Sequence, residues 1–273
     1  MIDAVLLFRE ALYGTLVIAV ACSVLGVYVV LRRIVFVGAA LAQISSAGIA
    51  IALWLAGMGV LPGLTSHPFA VSLLITMAGV VFFSRPTRGE VPPDASIGVA
   101  YAVAAAAGIL FIAKAKSGEA HDIFLQGSIL GITRSDTLLL LAASLPVLVA
   151  HAVFYKEFLF VSFDRETART LGYGVARWDL ALYLTLGIVI ACAMQFAGVM
   201  LVFNFLVLPA VTGLFIGGSM RATFVVSVGS AVLATVIGFA ASIPLDLPSG
   251  PTIIAVSGML AFLAWGARRA REA

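Results

Sequence analysis

The chain has 273 residues, 62% of them hydrophobic and only 11% charged, with a formal charge of +3 and a mean hydropathy of +1.15. Ordinary soluble domains are about 25% charged, so the composition excludes one and predicts a polytopic, all-α membrane protein. No polar segment is long enough to fold alone and no G-x-x-x-x-G-K-[ST] phosphate loop occurs, so residues 1–273 read as a single transmembrane domain without its own ATPase.

Nine apolar runs of bilayer length are predicted as spans: 13–31, 35–56, 68–83, 97–113, 137–155, 180–196, 199–216, 223–242 and 252–265. The first is too long for a cleavable signal peptide, and Arg32 and Arg33 follow it instead of preceding it. Cys22 and Cys192 lie inside spans, far apart in sequence, and read as buried free thiols and not as a disulfide or a metal motif. The second run contains GAALAQISSAGIAIA, whose small residues let helices approach closely; the same holds for VGSAVLATVIGFAAS in the eighth. Between the third and fourth runs, SRPTRGEVPPDA carries three prolines and reads as an extended loop, with Asp94 capping a span that begins near Ser96.

The outer stretch 114–136 contains HDIFLQGSILGITRSD, a half-length apolar run with Gly127 and Gly131, predicted as a re-entrant or interfacial helix. The segment FDRETARTLGYGVARWD, 163–179, is a charged island. Asp164 is expected to cap a short helix through Glu166 to Thr170, with Arg169 near its end and Gly172 as a left-handed stop. Such a helix, held between spans and parallel to the membrane surface, is a handle by which another protein could move them. In PLDLPSGPT, Pro244, Pro248 and Pro251 prevent a regular helix. They leave Asp246 at an outer mouth, as an oxygen ligand for a cation or as a cap for the last span, with Ser249 its competitor.

Polar side chains inside lipid are costly, which makes them functional candidates. They are Gln43, Ser45 and Ser46 in the second run, His151 in the fifth, Gln195 in the sixth and Asn204 in the seventh. Each could line a pathway or simply hydrogen-bond between helices. His67 and the pair His121 and Asp122 could offer ligands or stand solvated at the interface. No H-E-x-x-H, no G-x-S-x-G and no intramembrane acidic pair is present, which argues against an enzyme.

If the N-terminus is outside, one face receives Arg32, Arg33, Arg85, Arg88, Lys156, Arg165, Arg169, Arg177, Arg221, Arg268, Arg269 and Arg271. The other receives Arg9, Lys114, Lys116 and Arg134. The positive-inside rule then makes the first face, and the C-terminus, cytoplasmic; basic residues sorted this way call for no nucleic-acid site.

Four stretches together carry a family pattern: LRRIVFVGAALAQISSAGIA, LQGSILGIT, FDRETARTLGYGV and LDLPSGPTII. In their order and spacing the chain resembles, from about residue 12 to 267, the integral-membrane permease subunits of ABC importers for zinc, manganese and iron. The resemblance implies a permease homodimer in the inner membrane of a prokaryote, a cytoplasmic ABC ATPase, and an extracytoplasmic solute-binding protein. It also implies a transition metal as substrate and no cofactor held by this chain. The segment matching the family's coupling helix is Asp164 to Gly172, with Arg165, Glu166 and Arg169. Of the polar candidates, Gln43, Ser46, Asn204 and Asp246 are the expected pathway positions, and Asp246, which matches an acidic position that the family can use, is the metal candidate.

One departure bears on substrate. The family pattern G-D-x-L-x-H puts Asp and His on one helix face, whereas Ala39 and Gln43 stand at those positions here. An amide oxygen is a weak zinc ligand and alanine is none. Two explanations follow: a metal passed without a tight intramembrane site, or a metal chelate or small organic solute as substrate. A stand-alone secondary transporter is a further alternative, against which the near absence of intramembrane charge argues.

Overall fold

The computed structural model describes residues 8–60, 63, 67–84, 93–115 and 129–272. The first helices are α1 (Arg9–Leu31), α2 (Val35–Gly57), α3 (Pro68–Ser84), α4 (Pro93–Lys114) and α5 (Arg134–Val153). There follow α6 (Tyr155–Phe163), α7 (Arg165–Thr170), α8 (Val175–Ile216), α9 (Met220–Ser242) and α10 (Ser249–Glu272). Among the described residues no strand occurs, and the fold is all-α. Seven of these helices are long and apolar enough to cross a membrane, and α3, at 17 residues, is shorter.

Helix starts follow local chemistry. Thr133 and Asp136 close a capping box before α5: the Asp136 N–H donates to Thr133 Oγ1 at 3.4 Å, and the Thr133 N–H donates to Asp136 Oδ2 at 2.9 Å. Helix α4 starts at Pro93, so Asp94 sits inside the first turn and does not cap a helix at Ser96 as expected. Proline lacks the N–H that a first turn leaves unused, which is why the helix can begin there. The predicted helix within 114–136 falls mostly on 116–128, outside the described residues; the described part is a 3-10 turn, Ile129–Gly131, against α1 and α8.

Helix α8, 42 residues long, is broken at Gly198 (φ 70, ψ 166), and the two arms run in opposite directions. Asp179 in the first arm pairs with Arg32 after α1. Leu206 in the second arm has its carbonyl against Gly26, only six residues back along α1. An unbroken helix would separate residues 179 and 206 by about 40 Å, so the chain doubles back at Gly198. That backbone region is open essentially only to glycine, and Gly198 is buried in protein, where irregular backbone at membrane depth is tolerated.

The bundle is held by close approach of small residues, since lipid removes the hydrophobic drive between helices. A Cβ added at Gly48 would lie 2.7 Å from Ser72 Cα, and one at Gly238 2.6 Å from Ile253 Cα. Between these contacts Ile18, Leu25, Tyr28, Leu41, Leu186 and Phe205 are fully buried, around α1, α2 and α8.

The helix directions bring the basic residues to two ends. Tyr28 and Phe224 have ring centroids 5.2 Å apart and Ser227 donates to the Ser23 carbonyl at 3.2 Å, so α9 runs antiparallel to α1. Arg268 lies over the Phe215 ring at 6.0 Å, so the C-terminal ends of α8 and α10 lie together. Arg32, Arg165, Arg221 and Arg268 therefore share one end, and Arg9 and Arg134 mark the other, where Thr137 reaches the Glu10 carbonyl at 3.4 Å.

Candidate functional site

Helix α7 is built by capping at both ends. Asp164 accepts from the Thr167 N–H at 2.9 Å and from the Thr167 hydroxyl at 2.6 Å. These two bonds hold the exposed Asp164 carboxyl below its ordinary range, the hydroxyl bond contributing most. At the other end Gly172 has φ +84, its N–H donates to Arg169 O at 3.1 Å, and the Tyr173 N–H donates to Ala168 O at 3.0 Å. Those paired bonds are a Schellman motif. Ala168 is fully buried against Val161 and Val175 and fixes α7 to the bundle, while Glu166 and Arg169 are exposed. Phe163 (59% exposed), Leu171 (65%) and Tyr173 (40%) add apolar surface to the same segment.

Beneath α7 lies a charged network that sequence reasoning missed. Arg32 Nη1 donates to Asp179 Oδ1 at 2.5 Å, and Arg32 Nε donates to Ser162 Oγ at 2.8 Å. Arg165, from the first turn of α7, is paired with Asp179 Oδ2. The Arg32 and Asp179 side chains are 4% and 9% exposed, the Arg165 side chain 57%. One carboxylate therefore joins the end of α1, the start of α8 and α7, with α6 attached through Ser162. The available signal was an acid one turn inside an apolar helix, a position that is costly without a cationic partner.

The pathway candidates are spread over the bundle. Gln43 is half-buried and Ser46 buried on α2, but the bond between α2 and α3 is made by their neighbour: Ser45 Oγ and Ser72 Oγ lie 2.9 Å apart, and Ser72 Oγ donates to Ser45 O at 2.8 Å. Asn204, 4% exposed, donates through Nδ2 to Ser257 Oγ on α10 at 3.2 Å, and its Oδ1 is buried without a partner among the described residues. Asp246 is exposed at the far end, in a turn with φ 50, a conformation that aspartate tolerates better than most residues. Buried Ser249 begins α10. Among the described residues no group of three His, Cys, Asp or Glu could hold a metal ion.

His151, 2% exposed, has Nε2 3.0 Å from Thr185 Oγ1 and stacks on Phe158 at 4.1 Å. It is a packing residue between α5, α6 and α8. Gln195 is half-buried just before the Gly198 break, and Cys22 and Cys192 are buried free thiols. His121 and Asp122 lie outside the described residues, and His67 is exposed just before α3.

A family model described as the ABC 3 transport family matches residues 5–267. The chain is similar to the manganese transport system membrane protein MntC of Listeria monocytogenes, 28% identical over 257 residues, covering 94% of this chain and 89% of MntC. It is also similar to the manganese import system permease protein ScaB of Streptococcus gordonii, 25% identical over 252 residues, covering 92% and 88%. Among solved structures, a chain of PsaBC from Streptococcus pneumoniae, determined in complex with Fab, superposes with a TM-score of 0.83 at 22% identity, over 97% of this chain and 94% of that one. That likeness concerns the fold.

Proposed function

The chain belongs to the ABC 3 transport family, and from that premise we propose that it is the membrane-spanning permease subunit of an ATP-driven importer for a divalent transition metal, manganese first. The relatives named for manganese transport support the substrate class. The observation that carries the mechanism is α7: a short, doubly capped helix, fixed by Ala168, with apolar and charged side chains facing outward at the basic end. This reading makes the basic end cytoplasmic, with the N-terminus outside. The two arms of α8, counted separately, together with the six other long helices and α3, give nine crossings within one permease domain spanning 1–273.

In this reading a cytoplasmic ABC ATPase docks on Arg165, Glu166, Arg169 and Leu171, and two copies of the chain enclose the pathway in the inner membrane of a prokaryote. A solute-binding protein delivers metal near Asp246. Gln43, Ser46 and Asn204 offer neutral oxygen along the route. Neutral oxygens bind a dehydrated divalent cation loosely, which suits release more than storage. The replacement of acid and imidazole by Ala39 and Gln43 favours, as a second reading, a chelated metal whose ligands travel with it.

Co-purification with the ATPase and Mn2+-dependent uptake in proteoliposomes test the proposal. Deletion of residues 165–172 is expected to release the ATPase. Asp246→Ala is expected to lower uptake, and Gln43→His not to abolish it. If no transition metal stimulates hydrolysis or accumulates, the metal reading fails.

A further inference from the structure

The two oxygens of the Asp179 carboxylate are held by different elements, Oδ1 by Arg32 at the end of α1 and Oδ2 by Arg165 in the first turn of α7. Arg32 uses Nη1 on Asp179 and Nε on Ser162, and its Nη2 is buried with no partner among the described residues. A buried donor left unmade is costly. Arginine ordinarily meets a carboxylate through two parallel bonds, one from each nitrogen of its fork. The oxygen that Nη2 would take in such a fork is Oδ2. It has a second lone pair, but a second guanidinium brought onto it would set two like charges side by side, and with Arg165 there Nη2 makes no bond among the described residues.

Resting on the reading of α7 as the ATPase-docking helix, we propose that Asp179 is a two-position switch in which Arg165 and the Nη2 group of Arg32 compete for its Oδ2 oxygen. With α7 seated, the carboxylate is shared and Nη2 is idle. With α7 drawn away, Oδ2 passes to Nη2 and the Arg32–Asp179 pair becomes bidentate. Exposure divides the roles: Arg165 is open enough for water to replace its contact, whereas Arg32 and Asp179 stay paired in both positions. The two positions differ in named contacts, so whatever moves α7 can bias them.

The switch reaches the pathway helix through the α1–α2 corner. The N–H groups of Arg32, Arg33 and Ile34 donate to the carbonyls of Tyr28, Val30 and Val29 at 3.0 Å each, and Arg33 has φ 58, so the corner is a tight, left-handed turn. Helix α2 opens at Val35, immediately beyond it. Arg32 thus stands one residue before the left-handed Arg33 that leads into the helix carrying Gln43 and Ser46, about 12 to 17 Å further on, so a shift of its backbone with the guanidinium would be felt at the base of that helix.

The experiment uses the permease with its ATPase in proteoliposomes, supplied with the solute-binding protein and Mn2+, and reads Mn2+ taken up per ATP hydrolysed. Arg165→Gln leaves the buried pair intact and fixes the carboxylate on Arg32. The ratio is expected to fall about tenfold, within the usual span of coupling between sites. Arg165→Lys keeps a charged contact and should restore most of the ratio. Arg32→Lys keeps the charge but cannot fork, and should lose the ratio again. Arg177→Gln, an exposed basic residue of the same segment outside the network, should leave it intact. Arg165 is exposed, so Arg165→Gln is informative even if Arg32→Lys fails to fold. Because Arg165 also stands on the docking face, the switch requires the lower ratio with the ATPase still co-purifying, and a lower ratio that comes with loss of the ATPase overturns it. An unchanged ratio in Arg165→Gln overturns the switch. A wild-type complex that neither retains an ATPase nor accumulates Mn2+ overturns the permease reading instead.

Discussion

Gly26 has no room for one more carbon, because the carbonyl of Leu206 lies where a Cβ would sit. Gly26→Ala must push α1 and the second arm of α8 apart, and overpacking of this kind costs about 1–3 kcal/mol. Thermal unfolding in detergent should register the loss, whereas Gly229→Ala, on α9 with open space around it, should leave the midpoint nearly unchanged. Asp164 acts on a different variable. Its folded carboxyl is held below the unfolded value by Thr167, so the cap stabilises α7 above the ordinary carboxylate range and is lost as pH falls through the depressed folded value. Amide exchange at Thr167, corrected for its intrinsic pH dependence, should lose protection on that acid limb; Asp164→Asn should remove the dependence while keeping a cap. Asp164 was legible in the sequence because a cap acts over three residues. Asp179 was not, because its partner Arg32 is 147 positions away and only the folded bundle brings them together.

Helix boundaries were readable where the cause is local. The break at Gly198 falls between apolar runs ending at 196 and resuming at 199, and it needs glycine for its positive φ. Gly198→Ala is expected to cost about 1–3 kcal/mol in backbone strain, detectable as a lower unfolding midpoint with the helical content retained. The start of α4 departs from the sequence expectation for an equally local reason, since Pro93 can itself open a helix and draws Asp94 into the first turn. The α2–α3 contact shows the limit of spacing arguments. Gln43 and Ser46 share a face, yet the interhelical bonds come from Ser45, because Gly48 lets α3 approach on that side.

Across the whole bundle, Arg32, Arg165, Arg221 and Arg268 share the end that carries α7 while Arg9 and Arg134 mark the other, a sorting that the order of the apolar runs predicts for these described residues. It yields a topology test. Single cysteines placed at Arg177 and at Asp246, in a chain whose Cys22 and Cys192 are replaced by serine, should react with an impermeant maleimide from opposite sides of sealed vesicles. Labelling of both from one side would contradict nine crossings. The pathway was less legible than the scaffold, because Gln43, Ser46, Asn204 and Asp246 are spread over α2, α8 and the turn before α10 and do not meet within one chain. The reversal at Gly198 also constrains biogenesis. Its two arms have no hydrophilic linker between them, so the first cannot settle in the bilayer while the second waits outside in water. In the proposed nine-crossing topology they enter the membrane together as a helical hairpin, after α1 has already been made. The groove that receives Leu206 beside Gly26 therefore has to stay open during synthesis until residues 175–216 arrive to close it.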